Sequence, residues 1–165
     1  MGLSIRHNIE VAHRLYLTEG KCEAIHGHSM WVDLDLLVDQ AHTKHGMYVD
    51  GEGSALEFGV VKKAFRTYLD TSYDHHLLLN IEDPFAGMMK LAVADVGVDD
   101  QYTIPWSAVE YTSLPGLHVV NGDPTTENLA RWFAKWAADQ FKVSARVIVN
   151  ETSVNAAYYT AEWEG

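Results

Sequence analysis

A chain of 165 residues, 47% of them apolar, is long enough to bury a core as a single domain without disulfides or other staples. Its 12 basic against 23 acidic residues give a formal charge of -11, which opposes nonspecific binding to nucleic acid or an anionic membrane and leaves a small molecule as the expected partner. Cys22 is the single cysteine and no stretch approaches the roughly 18 apolar residues of a membrane span, so a disulfide framework is excluded and a cytoplasmic location is expected.

Taken in chain order, Leu3 to Leu15 predicts a strand. Leu3, Ile5, His7, Ile9, Val11, His13 and Leu15 fall on one face, and Ser4, Arg6, Asn8, Glu10 and Arg14 on the other. A second strand from His26 to about Val38 turns His26, His28, Met30, Val32, Leu34 and Leu36 inward, with Gly27 leaving backbone room between the two histidines. If these strands pair antiparallel through the Tyr16 to Ile25 connection, His13 joins His26 and His28 at one end. Three neutral imidazoles with an open fourth position form a catalytic-type zinc site. Cys22, four residues before His26, could ligate the metal or stay free beside it as an acid/base. His42 and His45 stand among polar residues and Gly46, which predicts an exposed turn rather than a second metal pair.

Leu56 to about Leu69 predicts an amphipathic helix, with Phe58, Val61, Phe65, Tyr68 and Leu69 inward and Lys62, Lys63 and Arg66 outward. Asp74-His75-His76 follows at the helix exit; a carboxylate on an imidazole prepares a general acid/base, although locally a solvent-facing pair reads as well. Residues 81 to about 123 are irregular, with short strands expected at Val93–Asp100 and Leu117–Val120 and a helical turn at Trp106–Tyr111. Pro124-Thr125-Thr126-Glu127 opens a second helix with Thr as cap and Leu129, Trp132, Phe133, Trp136 and Phe141 as its stripe. Two strands close the chain. In the first, alternation from Val143 to Val149 carries Glu151 inward, which is costly unless a partner meets it. The sum is an α+β domain with an antiparallel sheet of four strands and two helices on one face.

These pieces together resemble a known family. His13-Arg14-Leu15, Cys22-x-x-x-His26-Gly27-His28, Glu57-Phe58-Gly59-x-x-Lys62, Asp74-His75, Pro124-Thr125-x-Glu127-Asn128-Leu129-Ala130 and Glu151-Thr152 are similar in order and spacing to the 6-pyruvoyltetrahydropterin and 6-carboxytetrahydropterin synthases. The three residues between Cys22 and His26 resemble the carboxy subgroup; Ile9, Glu57 and one extra residue in Asp74 to Asn80 depart from the usual pattern. Counting forward from Asp74 selects His75 as the family histidine, whereas counting back from Leu79-Asn80 selects His76; adjacency to Asp74 favours His75.

The resemblance implies a single T-fold (tunnelling fold) domain over 1–165 with an insertion at about 81–120, assembled around a barrel into trimers or hexamers with active sites at subunit interfaces. It further implies zinc on His13, His26 and His28, proton transfer by Cys22, Asp74 and His75, and pterin binding by Glu151, Glu127 and Thr152. Arg14, Lys21 and a neighbouring subunit are then candidates for the triphosphate. The implied reaction converts 7,8-dihydroneopterin triphosphate to 6-carboxy-5,6,7,8-tetrahydropterin, acetaldehyde and triphosphate, in queuosine and other 7-deazaguanine biosynthesis. Pyruvoyl-forming or aldolase-like activity, or noncatalytic pterin binding, are the alternatives; the last would not need Cys22.

Overall fold

The computed structural model describes residues 2–38, 43–88, 101–103 and 116–164. His42, the strand expected at Val93–Asp100 and the turn expected at Trp106–Tyr111 lie outside the described residues. The elements in order are β1 (Gly2–His13), β2 (His26–Leu37), β3 (Thr43–Lys44), β4 (Met47–Tyr48), α1 (Phe58–Ser72), β5 (His76–Asn80), α2 (Pro84–Met88), β6 (Gln101–Thr103), β7 (Leu117–Val120), α3 (Thr126–Phe141), β8 (Ala145–Asn150) and β9 (Ala156–Ala161). Two compact units result: Met1–Asn8 with Met30–Thr67 and Thr126–Gly165, and Ile9–Ser29 with Tyr68–Thr125. Strands β1 and β2 run through both.

In the first unit the strand order is β1-β2-β8-β9, the four strands the sequence predicts. Gly2 meets the Leu36 carbonyl and Asn8 donates to the Met30 carbonyl at 3.0 Å, so β1 and β2 run antiparallel. β8 pairs antiparallel with both β2 and β9. One face of these strands is apolar by strict alternation: Met30, Val32, Leu34, Leu36, Val147 and Val149 are all buried. Helix α3 covers β8 and β9 with Leu129, Trp132, Phe133 and Phe141, and its Trp136 meets Phe65 of α1 at 6.2 Å between ring centroids. Phe58 departs from the expected stripe: at the first position of α1 it extends past the packed surface and is 62% exposed. His45, at φ 53, turns the exposed β3–β4 hairpin, as Gly46 suggests.

In the second unit the order is β6-β7-β5-β1-β2, so the sheet has strands beyond the four predicted. β5 pairs parallel with β1 and with β7, and β6 antiparallel with β7. Parallel strands covered on both faces carry continuous apolar runs, and His76-Leu77-Leu78-Leu79 is one, with no alternation to reveal it.

Candidate metal centre and active site

The second unit contains the histidine cluster. β1 ends on His13 and β2 begins on His26, so alternation places His13 with Ile9 and Val11 on the buried side and sets His26 and His28 on the side of Met30. Between the last two, a Cβ on Gly27 would stand 2.9 Å from the Val11 carbonyl oxygen, so glycine is what lets β2 approach β1 this closely. The three ring centroids are 4.5, 5.2 and 5.0 Å apart, and one nitrogen of each imidazole lies within 4.8 Å of the others.

Their hydrogen bonds assign the free nitrogens. His13 Nδ1 lies 2.8 Å from the Pro124 carbonyl and His26 Nδ1 2.8 Å from the Ala24 carbonyl; since a carbonyl only accepts, each Nδ1 carries the proton and each Nε2 presents a lone pair. The two Nε2 atoms are 3.1 Å apart. Facing lone pairs at that distance repel unless a cation lies between them, and two nitrogens on a tetrahedral ion at about 2.0–2.1 Å would be about 3.4 Å apart. The donor set therefore fits a metal ion, with carbonyl partners behind the ligands fixing their tautomers. His13 is fully buried and His26 and His28 are half-buried, so the cluster is approached past the latter two.

Cys22 occupies a single 3-10 turn, Lys21–Glu23, with its carbonyl accepting from Leu15 N at 2.9 Å. The thiol is exposed and has no hydrogen-bond partner among the described residues. Asp74 uses both carboxylate oxygens: Oδ1 accepts from Glu10 N at 2.7 Å and Oδ2 from His75 Nδ1 at 2.8 Å. His75 has φ 58, a left-handed conformation held by its own N–H to the Glu10 carbonyl at 2.7 Å and by His76 Nδ1 donating to the Asp74 carbonyl at 2.7 Å. The carboxylate contact and the exposed position thus belong to His75, whereas His76 is buried. His75 borders an open cleft of about 670 Å³ lined by Glu10, Ala12, Gly27 and Ser29 of β1 and β2, with His76, Leu77 and Gly116. Val11 and the cluster residue His28 line the same cleft, whereas Cys22 does not.

Sequence reasoning missed His118, which follows Leu117 in a strand buried at every position. It stacks on Tyr73 at 4.7 Å, donates through Nδ1 to the Ser72 carbonyl, and has its pKa lowered from 6.5 to about 4 by burial, opposed by the Ser72 bond and aided by His76.

In the first unit, Glu151 follows β8 and is half-buried, with Oε1 accepting from Thr126 Oγ1 at 3.1 Å. Thr152 Oγ1 accepts from Val154 N and Asn155 N at 3.2 and 3.0 Å, which shapes the β8–β9 turn. Glu127 is exposed in the first turn of α3.

The family model described as 6-pyruvoyl tetrahydropterin synthase matches residues 2–162. A protein of Synechocystis sp. named 6-carboxy-5,6,7,8-tetrahydropterin synthase is 26% identical over 130 residues, covering 77% of this chain and 88% of its own length. One of the same name from Rickettsia typhi is 21% identical over 125 residues, covering 76% and 71%. Among solved structures, an uncharacterized protein of Wolinella succinogenes superposes with a TM-score of 0.71 at 18% identity, and the 6-pyruvoyltetrahydropterin synthase of Plasmodium vivax with 0.61 at 19%, each covering 98% of both chains.

Proposed function

The chain belongs to the 6-pyruvoyl tetrahydropterin synthase family, and with its T-fold, α+β architecture as the premise we propose that it converts 7,8-dihydroneopterin triphosphate to 6-carboxy-5,6,7,8-tetrahydropterin, acetaldehyde and triphosphate. This would be a lyase acting as one domain in the cytoplasm, in queuosine and 7-deazaguanine biosynthesis. The observation that carries the reading is the convergence of His13, His26 and His28 with two Nε2 lone pairs turned on one point. The names of the curated relatives and the three-residue spacing from Cys22 to His26 support the carboxy product over the pyruvoyl one.

Three neutral imidazoles suit zinc, which when bound supplies a Lewis acid for the substrate's side-chain hydroxyls. The chain's own groups do the rest. Cys22, exposed at the neck of its turn, exchanges protons with the substrate side chain. Asp74 holds the Nδ1–H of His75 and so leaves Nε2 as the base. Glu151 pairs with the N–H donors of the pterin ring, with Glu127 and Thr152 in the neighbouring motifs, and Lys21 in the Cys22 turn is a cation for the triphosphate. In this reading Cys22 and the cluster of one copy work with the Asp74–His75 pair of a second copy, as in a trimer or hexamer.

Incubation of the zinc-loaded protein with dihydroneopterin triphosphate, with chromatography of the products, tests this. Expected are 6-carboxytetrahydropterin and acetaldehyde. A pyruvoyl product without acetaldehyde would transfer the chain to the other synthase, and bound but unconsumed pterin would make it a binding protein.

A further inference from the structure

Arg14 directly follows the ligand His13, and its side chain is only 11% exposed. Its Nε lies 3.3 Å from Oδ2 of Asp83, whose carboxylate is 0% exposed, as a buried ion pair whose two atoms are not aligned for a hydrogen bond. The guanidinium carbon sits 4.6 Å from the Phe85 ring centroid. On its other side Nη2 reaches Glu23 at 3.6 Å. Glu23 follows Cys22, and Leu15, which follows Arg14, donates to the Cys22 carbonyl. Residues 14 and 15 therefore meet residues 23 and 22 as two successive rungs that close the intervening loop at its neck. That loop is pinned once more where Leu17 N donates to Asp123 Oδ2 at 2.7 Å, while Asp123 Oδ1 accepts from Asn80 Nδ2 at 2.9 Å. The next residue, Pro124, supplies the carbonyl that holds His13. Ligand and thiol are thus tied to the same two buried acids.

A guanidinium that is 11% exposed and ion-paired to two carboxylates, one of them wholly buried, has its charge offset and its surface withdrawn from a phosphate in solution. The geometry points to Arg14 as a positioning residue rather than a triphosphate ligand: the Asp83–Arg14–Glu23 bridge sets the Cys22 turn relative to the histidine cluster. The thiol, without a hydrogen-bond partner of its own among the described residues, takes its place from that bridge. The catalytic consequence rests on Cys22 being the acid/base of the reaction proposed above; the bridge itself does not.

The test uses the full zinc-loaded chain and three variants, Arg14→Gln, Arg14→Lys and Glu23→Gln, the last at an exposed side chain whose loss leaves the core untouched. Arg14→Gln should lower kcat about 10- to 100-fold, the range for a misplaced reacting group, with KM within about twofold of wild type and zinc content kept. Inhibition by inorganic tripolyphosphate should not change. Arg14→Lys should restore part of kcat, and Glu23→Gln should lose about three- to tenfold by loosening one rung. Amide exchange at Leu15 and Leu17 should quicken in all three. A tenfold rise in KM with kcat kept and tripolyphosphate inhibition weakened would return Arg14 to the triphosphate, and unaltered exchange at Leu15 and Leu17 in Arg14→Lys and Glu23→Gln would remove the bridge. Should wild type leave dihydroneopterin triphosphate unconsumed, the functional reading falls while the exchange rates still decide on the bridge.

Discussion

His13 and His26 each spend one nitrogen on a backbone carbonyl and so can offer the other to a cation. Replacing His28 with Ala removes one of the three clustered imidazoles, and metal analysis should find the ion lost together with turnover. Cys22→Ala should part the two properties: full metal content with turnover lowered by roughly two to four orders of magnitude, as for a positioned acid/base. Loss of metal in that variant would make Cys22 a ligand instead. His118 makes a different prediction. Its folded pKa, about 4, lies below the 6.5 of the unfolded chain, so the unfolded state binds more protons between those values. The stabilisation is complete above about pH 6.5 and is lost as pH falls toward 4, by roughly 2 kcal/mol at pH 5. Denaturant titrations at pH 7 and 5 should show that loss in wild type and a smaller one in His118→Gln. That His26 and His28 share a face was legible because a period of two is a local property. The partner of Arg14 was not, since the buried Asp83 lies far along the chain.

Among elements, those with a clean period were legible and those without one were not. β1, β2, β8 and β9 alternate and α3 carries its stripe, so each was read close to its observed bounds. β5 was hidden in an apolar run, and α1 begins with Phe58 on the stripe but beyond the surface the helix covers. The β1–β2 approach at Gly27 gives the prediction at this scale. A methyl group 2.9 Å from the Val11 carbonyl cannot be relieved by a side-chain rotation, because the obstacle is backbone; the strands must part where His26 and His28 leave β2. Gly27→Ala should therefore keep the helical signal yet weaken the metal about 10- to 100-fold, the cost of disturbing the support behind the ligands, as read by competition with a chromophoric chelator. Wild-type affinity would mean that the cluster tolerates a wider β1–β2 gap.

At the scale of the molecule, six short motifs in order made the family legible, while no local pattern revealed which strand the Asp74–His75 pair would meet. That is fixed by pairing: β5 lies parallel to β1, and the Glu10 backbone receives both Asp74 and His75. In a single chain His75 and His28 line one cleft, and Cys22 lies outside it. If the working site combines Cys22 and the cluster of one copy with the Asp74–His75 pair of another, then Cys22→Ala and His75→Ala are each inactive but complementary. Dissociating and reassembling an equal mixture scatters the two chains at random through a symmetric oligomer. One in four sites then joins an intact Cys22 to an intact His75, so activity should return to about a quarter of wild type, measured as acetaldehyde release. A mixture that stays inactive after reassembly, with metal content and oligomer size unchanged, would mean that Cys22 and His75 act from the same chain.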